Sequence, residues 1–91
     1  MTFLLWQQSK GVEMHYSKEL FGRNIKVLRE SVGKSLSDIE ADTGLKKATV
    51  SLWERGGGGI GLDSACILAN YYGVSIDDLC RKEFRLSHQE V

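Results

Sequence analysis

SLSDIEADTGLKKATVSLWERG, residues 35–56, contains two short amphipathic patterns separated by one glycine. In the first, Ile39 and Thr43 share a helical face; in the second, Val50 and Trp53 do. Ser35 is placed to N-cap the first helix. Asp38, three residues on, stands where a capping-box acid reaches back to the cap amide. Gly44 supplies the φ > 0 position that a sharp turn between helices needs. Leu45 then fills the angle between them.

Two short helices joined in this way form a helix-turn-helix, whose second helix enters the DNA major groove. The stretch and its flanks resemble the XRE-type helix-turn-helix family, which includes lambdoid phage repressors and Cro proteins. The resemblance runs from Phe21 to Leu79. It is carried by FGRNIKVLRE (21–30), the Gly44 turn, VSLWERG (50–56), the Leu68-Ala69 pair and GVSIDDL (73–79). It implies an all-α, five-helix, lambda-repressor-like domain acting as a DNA-binding transcription regulator, in the manner of a repressor.

Composition agrees with a small helical domain. Ninety-one residues allow one core. There is no proline, and no strand-like alternation. Cys66 and Cys80 are separated by thirteen residues and lack a CxxC or a nearby His pair. They read as one buried and one surface thiol, with a metal site or redox switch as the alternative, and a reducing cytoplasm fits both. The net charge is zero, which argues against a strongly basic nucleic-acid binder. Residues 18–55, however, hold eight basic and six acidic side chains, and Lys46-Lys47 opens the second motif helix.

Along the chain, three regions are expected: an N-terminal extension over 1–15, a helix-turn-helix domain over 16–80 and a C-terminal tail over 81–91. The apolar run Phe3–Trp6 is too short to span a membrane, and no signal-peptide pattern surrounds it. Lys10–Met14 permits the codons AAA-GGA-GTG-GAA-ATG, whose AAGGAG resembles a bacterial ribosome-binding site. Met14, not Met1, is therefore the expected natural start. From Ser17, an N-cap, Phe21, Ile25, Leu28 and Val32 form one apolar stripe on a first helix ended by Gly33. Leu62, Ala65, Cys66, Leu68 and Ala69 give Leu62–Tyr72 a broad apolar face. Ser75 caps a short last helix buried by Ile76 and Leu79. GGGGIG, residues 56–61, matches G-x-G-x-x-G letter for letter, but helix precedes it where a dinucleotide site needs a strand. It reads as a flexible loop. Phe84 and Leu86 extend the last helix, meet a partner chain, or belong to a partly disordered tail.

No catalytic constellation, metal cluster or cofactor motif stands out, and an enzyme is not expected. His15 and His88 lie near opposite ends of the chain, and Asp77-Asp78 and Asp38-Glu40 suit capping and exposed faces. The family resemblance places Lys47, Ala48, Leu52 and Leu36 toward the major groove, flanked by Lys46, Thr49, Ser51 and Arg55. Lys47 suits a guanine edge or a phosphate, whereas Ala48 and Leu52 suit only apolar contact such as a thymine methyl. Lys34, Ser35, Thr49 and Arg55 are the expected phosphate contacts. Glu40 stands where the family has a small residue; its stem should lie along the neighbouring helix, toward Lys47. An ion pair between Arg29 and Glu54 is also expected. The implied partners are double-stranded DNA and a second copy of the chain, without a membrane. A second regulator protein in place of DNA is the alternative.

Overall fold

The computed structural model describes residues 17–86, and these form five helices. They are α1 (Lys18–Ser31), α2 (Leu36–Thr43), α3 (Lys47–Glu54), α4 (Leu62–Tyr72) and α5 (Ile76–Arg81). No strand occurs among the described residues. The expectations for the N-terminal extension, including the start at Met14, lie outside the described residues.

Local chemistry sets the helix boundaries. The Ser17 hydroxyl accepts the Leu20 N–H at the start of α1. At α2 the capping box is closed both ways: Ser35 Oγ accepts from the Asp38 amide, and Asp38 Oδ2 accepts from the Ser35 amide. Gly44 ends α2 at φ +83°, and its N–H bonds back to the Glu40 carbonyl. Ser75 caps α5 through the Asp78 amide. Helices α2 and α3, of eight residues each, are too short to persist alone in water. Burial holds them.

The core is Phe21 and Ile25 from α1, Ile39 from α2, Val50 and Trp53 from α3, Leu68 and Ala69 from α4, and Leu79 from α5. Helix α1 lies across α3, α4 and α5, and α2 packs against α3 and α4. The closest approach is at Gly22. A Cβ there would lie 2.1 Å from the Trp53 carbonyl oxygen, so only glycine lets α3 come this near to α1.

Three expectations about apolar faces are corrected. Val32 is 52% exposed, because it is the C-cap of α1 and the chain has already left the helical course that would bury it. Leu62, 71% exposed, opens α4 on its solvent side, and Cys66 one turn later is exposed too. The buried face of α4 is the narrower set Ala65, Leu68 and Ala69. Cys80 lies within α5 and is the half-buried thiol; burial pushes its pKa up, which disfavours the reactive thiolate.

The chain beyond α5 is held by Asn24, a fully buried polar residue on α1. Its amide donates to the carbonyls of Leu79 (2.8 Å) and Lys82 (2.6 Å), and its Oδ1 accepts from the Phe84 amide (3.0 Å). Phe84 packs against the core, with the Lys82 ammonium 5.5 Å from its ring centroid. Residues 82–84 thus adhere to α1, and Phe84 caps the core instead of extending α5.

Gly22→Ala tests the close approach, because two effects oppose each other there. Helix propensity alone favours Ala by about 1 kcal/mol. The clash with rigid backbone should outweigh this and destabilise the fold by about 1–3 kcal/mol net. The expected result is a lower thermal midpoint in circular dichroism; an unchanged or raised midpoint would contradict the packing.

Candidate nucleic-acid interface

The rotation of α3 follows from its two buried residues. Val50 and Trp53 face the core, which turns Lys47 and Ala48 away from it, and Lys46 and Thr49 are exposed as well. Ser51 is half-buried. The helix is held at its far end by Glu54, whose carboxylate takes a two-pronged contact from Arg29: Nε to Oε2 at 2.7 Å and Nη2 to Oε1 at 2.9 Å. Both side chains are largely buried, at 13% and 5% exposure. The hydrogen bond to Glu54 raises the Arg29 pKa further, and the remaining Nη1 donates to the Lys34 carbonyl at 3.0 Å. One guanidinium therefore ties together α1, the turn before α2, and the end of α3.

At its near end α3 lacks a conventional cap. Lys46 occupies the N-cap position and its side chain makes no cap bond. Two lysines also oppose the positive end of the helix dipole. Glu40 compensates from α2: its Oε1 accepts the Lys47 amide at 3.3 Å. The Lys47 ammonium folds back to Ser37 Oγ at 3.4 Å.

The candidate residues fall into three groups. Lys46, Lys47, Ala48 and Thr49 form one exposed surface, and Ser35 is exposed at the start of α2. Lys34 and Arg55 have partners within the chain: Lys34 Nζ lies 3.4 Å from Asp42 Oδ2, and Arg55 Nε donates to the Ser51 carbonyl. Leu36 and Leu52 are engaged in packing. Leu36 lies against the core, and Leu52, though 42% exposed, is covered on one side by the glycine loop. A Cβ on Gly57 would lie 2.6 Å from Leu52 Cδ1, and the Gly57 amide bonds to the Leu52 carbonyl at 3.0 Å. The glycine run is therefore a close-fitting turn over Leu52.

Sequence reasoning missed two residues at this surface, Ser37 and Asp42. Asp42 accepts from Lys34 and also from the Tyr71 hydroxyl on α4. Its pKa is lowered by the Tyr71 hydrogen bond and by Lys34, and the Tyr71 phenol is pushed up to about 12 by the same bond. The partnership brings together residues 29 positions apart, and no local pattern announces it.

The family model described as Helix-turn-helix matches residues 25–79. Two solved structures are similar to the chain: one of the BldD DNA-binding domain from S. venezulae and a crystal structure of the DNA-binding domain of BldD. Each is 26% identical over 70% of this chain with a TM-score of 0.63, covering 96% and 93% of the respective BldD chains. No curated protein gives a significant sequence match.

Two outcomes test the supports of α3. Removing either Arg29 or Glu54 leaves a largely buried charge unpaired and should cost about 3 kcal/mol, against about 0–1 for an exposed pair. A double-mutant cycle read by denaturant unfolding should show a coupling energy above the exposed range; zero coupling would contradict the pairing. For Tyr71→Phe, the signs run in opposite directions on the two sides of neutrality. A depressed Asp42 pKa adds stability above the ordinary carboxylate range and loses it as pH falls through the folded value. A raised Tyr71 pKa adds stability below about 10, lost as pH rises toward 12. The stability gap between wild type and Tyr71→Phe should be flat near neutrality and close at both extremes. A gap independent of pH would contradict the hydrogen bond.

Proposed function

The chain belongs to the XRE-type helix-turn-helix family, and from that membership we propose that it is a small, non-enzymatic regulator of transcription. It works in the cytoplasm, binds double-stranded DNA sequence-specifically as a homodimer, and lays α3 in the major groove. The observation that carries this reading is the two-sidedness of α3. Val50 and Trp53 anchor one side in the core, while Lys47 and Ala48 project away from it and Lys46 and Thr49 are exposed beside them. The likeness to BldD, whose matching segment is a DNA-binding domain, supports it.

Roles follow from side-chain chemistry. Ala48 presents a small apolar group to base edges, Thr49 a hydroxyl to a phosphate or a base edge, and Lys47 suits guanine O6 and N7. Lys46, Ser35, Lys34 and Arg55 suit phosphates, which fix register without reading sequence. Ser51, Leu36 and Leu52 border this surface, with the two leucines also packing within the protein. Pairing two copies on a roughly palindromic operator supplies the specificity that one short helix lacks. Of the described residues, no helix is long and apolar enough to cross a membrane.

A second reading, a module that binds another regulator protein through the same surface, is favoured by the zero net charge and by Glu40 beside the lysines. Salt separates the two. DNA affinity falls steeply with salt as counterions are released, whereas an apolar protein interface responds weakly. On fragments selected from random DNA, Lys46→Ala should weaken all sequences alike and reduce the salt slope by about one. A Lys46, Lys47, Leu52 triple-alanine variant that folds and binds with unchanged affinity, slope and preference would overturn the DNA-reading assignment.

A further inference from the structure

We infer that Glu40 is a positioning residue for α3: it caps that helix from the preceding one and sets a negative charge beside Lys46 and Lys47 that opposes DNA phosphates. The inference rests on the DNA-reading role proposed for α3. It starts from a conflict at the beginning of that helix. The first turn of a helix presents unsatisfied N–H groups and a partial positive charge, and an acceptor at the N-cap normally meets them. Here the N-cap is Lys46, which has no acceptor, and Lys47 follows. The turn that should bind a phosphate most readily is also the one that most needs an anion.

Glu40 supplies that anion from within the protein. Its Oε1 accepts the Lys47 amide, and Ser37, three residues earlier on the same face of α2, accepts the Lys47 ammonium. Lys47 is thus held at both ends by α2. The carboxylate stands at the Lys47 amide, at a helix end that attracts anions, and it repels a phosphate that approaches. The chain is consequently a weaker general DNA binder than its Lys46-Lys47 pair implies. Base contacts by Ala48 and Thr49 gain weight relative to the charge they sit beside. Glu40 acts as a selector against sequence-independent binding.

Two variants divide the roles. Glu40→Gln keeps an acceptor for the Lys47 amide and removes the charge; Glu40→Ala removes both. Amide hydrogen exchange of Lys47, measured without DNA, should speed up several-fold in Glu40→Ala and be largely retained in Glu40→Gln. Unchanged exchange in Glu40→Ala overturns the cap. In binding to an unrelated duplex, both variants should gain about one phosphate contact. The salt slope then steepens by about 0.9, an extra factor of about 3.5 in affinity between 200 and 50 mM salt. Wild-type slopes in both variants, with salt-dependent wild-type binding, overturn the opposition of Glu40 to phosphates. Wild-type protein that binds DNA with no salt dependence overturns instead the DNA-reading role and the DNA-directed half of this inference, while the exchange experiment still decides the cap.

Discussion

The placement of α3 depends on a single close approach, that of Gly22 to the backbone at Trp53. With no side chain at residue 22, α1 settles directly against the carbonyls of Trp53 and Glu54. That contact brings Phe21 and Ile25 onto Val50 and Trp53, and it places Arg29, two turns along α1, where its guanidinium meets Glu54. The apolar contact sets the distance between the helices, and the ion pair sets their relative rotation. A planar fork on a planar carboxylate tolerates little twist. The exposed turn of α3 is therefore presented by a closely fitted seat.

Charge on this surface is managed locally. A net charge of zero does not leave the lysines idle: Lys34 is drawn to Asp42, Lys47 is turned back toward Ser37, and Glu40 faces the α3 amides. Lys46 stands exposed at the N-cap. The consequence is a graded surface. Cations with a partner inside the chain must exchange it to meet a phosphate, and that exchange returns little net energy at exposed sites. On the DNA-reading role proposed for α3, contacts that depend on base identity then weigh more in the total.

Wherever the fold follows from near neighbours in the chain, the sequence was informative. Ser17, Ser35 and Ser75 cap helices because each precedes an amphipathic run. Gly44 turns because no other residue enters that conformation cheaply, and Ile39, Val50 and Trp53 are buried at helical spacing. Where geometry depends on distant parts, pattern reading lost its grip. Val32 and Leu62 fit the periodicity yet lie at helix ends, where the chain turns off the core. Asn24 reads as a polar residue on a helix, and its burial makes sense only once the carbonyls of Leu79 and Lys82 are beside it. The expected partnership of Arg29 with Glu54 came from family resemblance, since two charges 25 residues apart carry no local signal.

The glycine loop makes a contact that a local reading does not show. Four consecutive glycines suggest freedom, because each adds backbone entropy to the unfolded chain. Against Leu52 that freedom is given up. A Cβ at Gly57 would meet Leu52 Cδ1, the end of a side chain that would have to shift, and the Gly57 amide closes a turn onto the Leu52 carbonyl. The loop thereby buries part of a leucine that α3 alone would leave in water. Folding the loop costs entropy and returns apolar contact, and the return is small because only one side of Leu52 is covered. A larger residue at 57 would turn the end of Leu52 aside at the edge of the exposed α3 surface. The loop follows the backbone conformation of Gly56 and Gly58, at φ +81° and +66°, more than a steric demand of the neighbouring helix. It limits how far the apolar edge of α3 extends beyond Ala48 and Thr49, and so helps define which part of that helix a partner meets.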